Sequence, residues 1–313
     1  MATYTQLYQK DIDQITKQYN LDIESFSSID GGAGNSSYRL KSKERDFVLT
    51  VFDEKSYEEV IDLGELLLLL ERYRVPTTRT IPMIDGTIIA KHRAKPVMIK
   101  EYIVGEVYEN IDKKMLIELG RNLAKIHQIP PPEYIPKQHS YGLESFSSLI
   151  TVAIDIPYET WLKREFEALK QNIGDELPKA LIHGDLFYDN VLFLEKKFQA
   201  IIDFEEACIY YRVFDIGMAI VGLCRDKKSI DLDKAQALIA GYQEITKLEL
   251  LEKESLQMFT AYAATATSSW RFWKYNIDLP KSEKSHKHWE MAKLSQKINM
   301  IDKEKFIQRV FTL

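Results

Sequence analysis

His183, Asp185, Asn190 and Asp203 are the residues of this 313-residue chain whose types and spacing could do chemistry. Three of them lie in Leu181-Ile182-His183-Gly184-Asp185-Leu186-Phe187-Tyr188-Asp189-Asn190-Val191-Leu192-Phe193, an apolar segment, a polar turn and a second apolar segment. Ile201-Ile202-Asp203-Phe204 follows, another apolar strand ending in a carboxylate eighteen residues past Asp185. One carboxylate to accept a hydroxyl proton, plus an amide and a second carboxylate for a hard cation, suits phosphoryl transfer. That reaction needs positioning and charge neutralisation more than covalent help. Magnesium takes a few oxygen ligands and completes its octahedron with phosphates and water. Asn190 offers a neutral oxygen and Asp203 a charged one, while Asp185 stays off the metal and faces the acceptor. Asp and Asn also favour turns, so a plain hairpin accounts for Asp189-Asn190. It does not account for His183-Gly184-Asp185 together with a strand that ends in Asp203.

The surrounding pattern predicts the elements that hold these groups. The polar stretch 1–20 reads as an amphipathic helix. Short strands near Ile23–Ser28 and Tyr38–Lys43 flank a flexible turn, Gly31-Gly32-Ala33-Gly34-Asn35-Ser36-Ser37. Phe47–Phe52 is rich in β-branched and aromatic residues and reads as a strand. Tyr57–Tyr73 reads as a helix ended by Val75-Pro76. Thr87–Lys91 and Val97–Tyr102 are two further strands. In Lys113–Gln128 the apolar residues Leu116, Leu119, Leu123 and Ile126 recur near helical spacing. An irregular stretch follows Pro130-Pro131-Pro132, then a helix over Glu159–Ile173. A catalytic hairpin is expected over Ala180–Phe204, and helices over Phe214–Cys224, Asp233–Ile245, Leu250–Tyr275 and Ser285–Phe311. Residues 1–102 thus form a small antiparallel-sheet lobe with one main helix, and 103–313 a larger helical lobe, an α+β architecture.

Composition narrows the partners. A net charge of −5 with no basic run argues against a nucleic-acid backbone. The lysines between Lys281 and Lys287 are interrupted by Ser282, Glu283 and Ser285 and read as a solvated loop. Cys208 and Cys224 make neither a disulfide framework nor a metal spacing, which suits a reducing cytoplasm. Met1–Asn20 carries charges throughout and is not a secretory signal. The leucine run Leu66–Leu70 is far too short to span a bilayer. A small-molecule hydroxyl acceptor is the expected partner, with no nucleic acid and no membrane, for a monomer or a homodimer.

With these residues in view, the chain resembles the aminoglycoside phosphotransferase, choline kinase and homoserine kinase group, which has a protein-kinase-like fold. The similar residues are His183-Gly184-Asp185 with Asn190, Ile202-Asp203-Phe204, Phe214-Asp215, and the helix Leu119-Gly120-Arg121-Asn122-Leu123-Ala124-Lys125-Ile126-His127. Within the group it looks most like the kinase-like homoserine kinases, through Ile182–Val191, Phe47–Lys55 and Ala240-Gly241-Tyr242. The resemblance implies ATP and Mg2+ as cofactors, Asp185 as catalytic base, and Asn190 and Asp203 as metal ligands. It makes His183 a brace of the loop and Asp215 a partner of loop backbone. It also marks a departure. Kinase-like enzymes usually carry a phosphate-gripping lysine on the third strand, where this chain has Thr50. Lys55, just beyond the strand, is either a replacement cation or an ordinary surface lysine.

Smaller signals complete the expectation. Gly32, Gly34, Asn35, Ser36 and Ser37 form a degraded Gly-rich loop able to approach phosphates. Glu101, Tyr102 and Ile103 occupy the hinge, whose backbone would pair with adenine. Glu205 and Glu206 follow the metal Asp and either contact magnesium or an acceptor ammonium, or are solvated loop charges. Trp270 and Arg271 belong to an aromatic, cationic helix segment that either walls an acceptor pocket or packs a core. The acceptor is a hydroxyl of homoserine or a similar amino alcohol; aminoglycosides, choline, ethanolamine and sugars are the alternatives, and a non-catalytic nucleotide binder is a further one. His127 reads as a packed structural histidine.

Overall fold

A computed structural model describes residues 5–29, 34–227 and 229–311. The chain divides into two units, Met1–Gly105 with Gln199–Ile202, and Glu106–Phe198 with Asp203–Leu313.

The first unit runs α1 (Gln9–Gln18), β1 (Ser25–Ile29), β2 (Asn35–Lys41), β3 (Asp46–Phe52), α2 (Tyr57–Arg72), β4 (Ile89–His92) and β5 (Lys95–Glu101). The strands form one antiparallel sheet in the order β1-β2-β3-β5-β4. Alternation along β3 decides its two faces. Phe47, Leu49 and Val51 join Tyr38, Leu40, Val97 and Ile99 in a core closed by Ile12 and Ile15 of α1. Val48, Thr50 and Phe52 take the other face. Helix α2 starts with a capping box, in which Glu59 N donates to Ser56 Oγ at 3.2 Å and Ser56 N to Glu59 Oε2 at 2.7 Å. It buries Val60, Leu63, Leu66, Leu67 and Leu70. At about 1.5–3 kcal/mol per buried aliphatic side chain, this stripe holds the helix down more than its propensity does.

The second unit contains α3 (Lys113–His127), α4 (Leu143–Phe146), α5 (Ile156–Asn172), β6 (Lys179–Ile182), β7 (Val191–Leu194), the start of β8 (Lys197–Ile201), β9 (Cys208–Tyr211) and α6 (Arg212–Leu223). It continues through β10 (Arg225–Asp226), β11 (Ser229–Ile230), α7 (Leu232–Ile245), α8 (Leu250–Phe272), α9 (His288–Asn299) and α10 (Lys303–Phe311). Every residue of α6 from Val213 to Leu223 is buried, as expected of a helix apolar all round. Arg212 donates to both Glu252 oxygens at 2.5 Å, a two-pronged charge-assisted pair that joins α6 to α8. Gly120 of α3 and Gly241 of α7 let two helix backbones touch: a Cβ on Gly120 would run into Leu238 O, and one on Gly241 into Ile117 O. No helix among the described residues is long and apolar enough to cross a membrane.

A unit with a small antiparallel sheet and a unit made mainly of helices are the α+β class expected. Three local expectations change. The catalytic segment is not a hairpin: β6 pairs with β9, from Lys179↔Tyr211 to Ile182↔Cys208, and β7 pairs with β8. The buried apolar strand Ala180-Leu181-Ile182 needs a buried neighbour, and Cys208–Tyr211 supplies one. The single helix expected over Ser285–Phe311 is broken, because Asp302 caps α10 with its carboxylate accepting from Lys305 N at 2.9 Å. Helix α8 ends at Phe272 and continues as a π-helical turn over Trp273–Asp278, a distortion often found near functional sites.

Candidate active site

The loop from His183 to Asn190 is fixed from behind. Asp215, fully buried in the first turn of α6, accepts from His183 N at 2.9 Å and Gly184 N at 2.8 Å. Its third contact is His127 Nε2 at 3.0 Å, and His127 Nδ1 meets Tyr242 Oη at 2.9 Å. This chain runs from α7 through α3 to the loop and is the role the resemblance implies for Asp215. Burial opposes ionisation of Asp215, yet the His127 bond, the neighbouring imidazoles and the loop N–H donors outweigh it and hold the carboxyl below its ordinary range. A depressed carboxylate stabilises the fold above its unfolded pKa, and that contribution is lost as pH falls through the folded value. Asp215→Ala strands two buried N–H groups and an imidazole, so a loss of about 3–5 kcal/mol is expected. A urea-unfolding midpoint reads it, and a midpoint equal to wild type would remove the brace.

Gly184 is required by shape. Its φ is +85°, and a Cβ there would sit 2.5 Å from Glu206 O and 2.9 Å from His139 Nε2. Its carbonyl is held by His139 Nε2 at 3.0 Å. Inside the loop, Asp185 N bonds His183 Nδ1 at 3.2 Å, and the His183 ring lies 4.7 Å from that of Phe204. Asn190 Nδ2 donates to Asp185 O at 2.8 Å, which sets the span between the two residues. Asp203 has φ 66°, a left-handed conformation uncommon for a non-glycine residue and characteristic of functional positions.

Charge is concentrated here. Tyr141 Oη donates to Asp185 Oδ1 at 2.7 Å. Burial pushes the Asp185 carboxyl up to about 7; the Tyr141 bond pulls it down, and the carboxylates of Asp203, Glu206 and Asp189 push it further up. Asp189 is raised by burial and by Asp203 as well. Clustered carboxylates of this kind are the donor chemistry of a hard divalent cation. Among the described residues no group of three or more His, Cys, Asp or Glu forms a closed metal cage. An open site with one or two protein oxygens, completed by phosphates and water, needs none.

The other expected residues fall as follows. Glu206 accepts from Ser140 Oγ and abuts the loop at Gly184. Glu205 is half-buried beside it. The Trp270 ring lies 6.4 Å from that of Tyr141, one residue removed from Asp185. Arg271 reaches Glu290 Oε2 at 3.3 Å and Lys287 O at 3.5 Å, and its charge acts on Asp189 and Tyr188 of the loop. In the first unit, Gly32 lies outside the described residues, Gly34 precedes β2 and Asn35 opens it. Ser36 is buried and donates to Asp53 Oδ2 at 2.5 Å, while Ser37 pairs with Thr50. Lys55 lies near Glu59 at the start of α2. Glu101 ends β5 and binds Arg45 at 2.6 Å; Tyr102 N donates to Asp46 O at 3.1 Å, and Ile103 follows, half-buried. Sequence reasoning missed Tyr141, His139 and Arg225. The first two sit in an irregular segment without periodicity. Arg225 follows α6 and feels both Arg271 and Tyr188.

This geometry defines a phosphotransferase of the protein-kinase-like class. The sequence profile of the phosphotransferase enzyme family matches residues 25–249, and the chain belongs to that family. It is an ATP-dependent phosphotransferase of the small-molecule kinase type, acting on a hydroxyl group. The homoserine kinase of Mesorhizobium japonicum is 27% identical over 275 residues, spanning 84% of this chain and 85% of that protein. That of Bartonella henselae is 27% identical over 273 residues, spanning 84% and 86%. Among solved structures, amicoumacin kinase in complex with AMP-PNP and Ca2+ superposes with a TM-score of 0.75 at 12% identity, covering 95% of this chain and 97% of that one. A microcompartment-associated aminopropanol kinase gives 0.68 at 17% identity, covering 96% and 99%.

Proposed function

We propose that this enzyme transfers the γ-phosphate of magnesium-ATP to the hydroxyl of homoserine or a closely similar amino alcohol. The observation that carries the reading is Asp185, an elevated carboxylate held by Tyr141 among Asp189, Asp203 and Glu206. Homoserine kinases as relatives over most of the chain support the acceptor. Asp185 takes the hydroxyl proton as the oxygen attacks phosphorus. Asn190 and Asp203 supply oxygens to the magnesium, which neutralises phosphate charge when bound. His183 braces the loop. The Gly34–Ser37 segment and the hinge at Glu101–Ile103 hold the nucleotide. Both cysteines are buried free thiols, in keeping with a reducing cytoplasm.

Homoserine carries an ammonium and a carboxylate, and a buried unpaired charge costs several kcal/mol, roughly. Glu205 and Glu206 meet the ammonium. Arg271 meets the carboxylate, with Trp270 as the apolar wall beside Tyr141. A magnesium-ATP turnover screen over homoserine, ethanolamine, aminopropanol, choline and aminoglycosides tests the assignment, with homoserine expected to give the highest kcat/KM. Arg271→Lys should then raise KM for homoserine about tenfold, since lysine lacks the guanidinium fork. KM for ATP should stay nearly unchanged. Turnover confined to acceptors without a carboxylate would remove homoserine and leave the kinase in place.

A further inference from the structure

We infer that Lys100, on β5, takes the phosphate-gripping role that the third strand lacks; the inference rests on the nucleotide-binding reading above. The strand position that usually supplies this cation is Thr50, which is 2% exposed and has an Oγ1 with no hydrogen-bond partner. A buried hydroxyl left unpaired costs about 1–3 kcal/mol, so the site is not explained by packing alone.

Register places Lys100 beside it. In the β3–β5 ladder Thr50 lies opposite Met98, and Val48 opposite Lys100. Directly opposed residues share a face of an antiparallel sheet, so Val48, Thr50, Phe52, Met98 and Lys100 share one. It is the face turned away from the core of Phe47, Leu49 and Val51. Lys100 is Thr50's diagonal neighbour, with backbones about 7–8 Å apart. Its Nζ stands 6.0 Å from the Phe52 ring centroid. Phe52 is four residues, about 13 Å, along the strand from Val48. The lysine therefore lies along the strand and crosses the Thr50 position to reach that ring. A short side chain at residue 50 leaves room for its stem, and the ammonium is delivered from the neighbouring strand.

Four other cations of this unit lie elsewhere. Arg39 is bound to Asp46 at 2.5 Å and covers the Tyr102 ring at 4.1 Å. Lys95 is bound to Asp53 at 2.6 Å. Arg45 is bound to Glu101. Lys55 follows the strand at the cap of α2, where its charge acts on Glu59. A compact ammonium on a flexible stem is a suitable partner for phosphate oxygens.

The test is lysine mapping with an acyl-phosphate derivative of ATP. A lysine amine held at the phosphates attacks the acyl carbon, an amide forms, and ATP leaves. Mass spectrometry of the digested full-length protein should find the acyl group on Lys100, suppressed by excess magnesium-ATP. Lys100→Met should raise the ATP dissociation constant at least tenfold by calorimetry, with an unchanged melting curve. Thr50→Lys added to Lys100→Met should restore much of that affinity, which a structural role for Lys100 would not allow. ATP-suppressed acylation of Lys55 in place of Lys100, or unaltered ATP affinity in Lys100→Met, overturns the inference and keeps nucleotide binding. No ATP-suppressed lysine and no heat of ATP binding by the wild type overturns both.

Discussion

Asp185→Asn should lower kcat about a hundred- to ten-thousand-fold, the usual worth of a positioned proton acceptor, while the protein becomes harder to melt. The first effect follows from the loss of the only state in which residue 185 can take a proton; nucleotide affinity, set elsewhere, should survive. The second follows from linkage. The folded-state pKa of Asp185 is about 7 against an ordinary 3.8, raised by burial and by three neighbouring carboxylates. A carboxyl that binds its proton more tightly when folded weakens the fold progressively as pH climbs through that window, and the penalty is complete above it. Asparagine carries no charge at any of these pH values. The shift sets a ceiling of about 4 kcal/mol, and the partial exposure of the side chain reduces it to about 1–2 kcal/mol. A melting temperature several degrees higher at about pH 8, with little difference at about pH 4, is the expected pattern in metal-free buffer. Steady-state rates and melting curves at both pH values decide it. Near-normal turnover would sink the base assignment, and a lower melting temperature at the alkaline pH would sink the electrostatic account.

Much of this was legible because local chemistry and tertiary demand agree. The β-branched and aromatic run Phe47–Phe52 became a strand, with Phe47, Leu49 and Val51 inward. The periodic apolar residues of Lys113–Gln128 became a buried helix face, and the helix read at Tyr57–Tyr73 buries one side of its leucine run. Asp215 was legible only through the family resemblance, and the structure gives its physical reason, a pair of loop N–H donors that needs a buried acceptor. The pairing of β6 was not, since an apolar strand says that it is buried and not which strand lies beside it. The break at Met300–Asp302 was hidden by continued apolar spacing across a capping Asp. Tyr141 and His139 were invisible for a third reason. They come from an irregular stretch whose shape is dictated by packing against Gly184 and Asp185, and such positions leave no period in the sequence. Lys100 and Thr50 were each readable, but their relation depends on register across two strands.

The metal assignment carries the second large effect. Asp203→Ala should raise the magnesium concentration needed for half-maximal ATP binding about a hundredfold, and Asn190→Ala about tenfold, because a charged oxygen contributes more than a neutral one to a hard cation. Asn190 also donates to Asp185 O, so its alanine variant should lower kcat beyond what added magnesium restores. Asp203 has a second influence, since its charge pushes Asp185 upward. Removing it should move the acid limb of the pH–rate profile to lower pH, even as metal affinity falls. Loss of a bracing contact alone would shift neither titration in that direction. The measurement is therefore a magnesium titration of nucleotide binding beside a pH–rate profile at saturating metal. Wild-type magnesium dependence in Asp203→Ala would end its role as a ligand. An acid limb that moves upward would end the claim that the two carboxylates repel each other in the working enzyme.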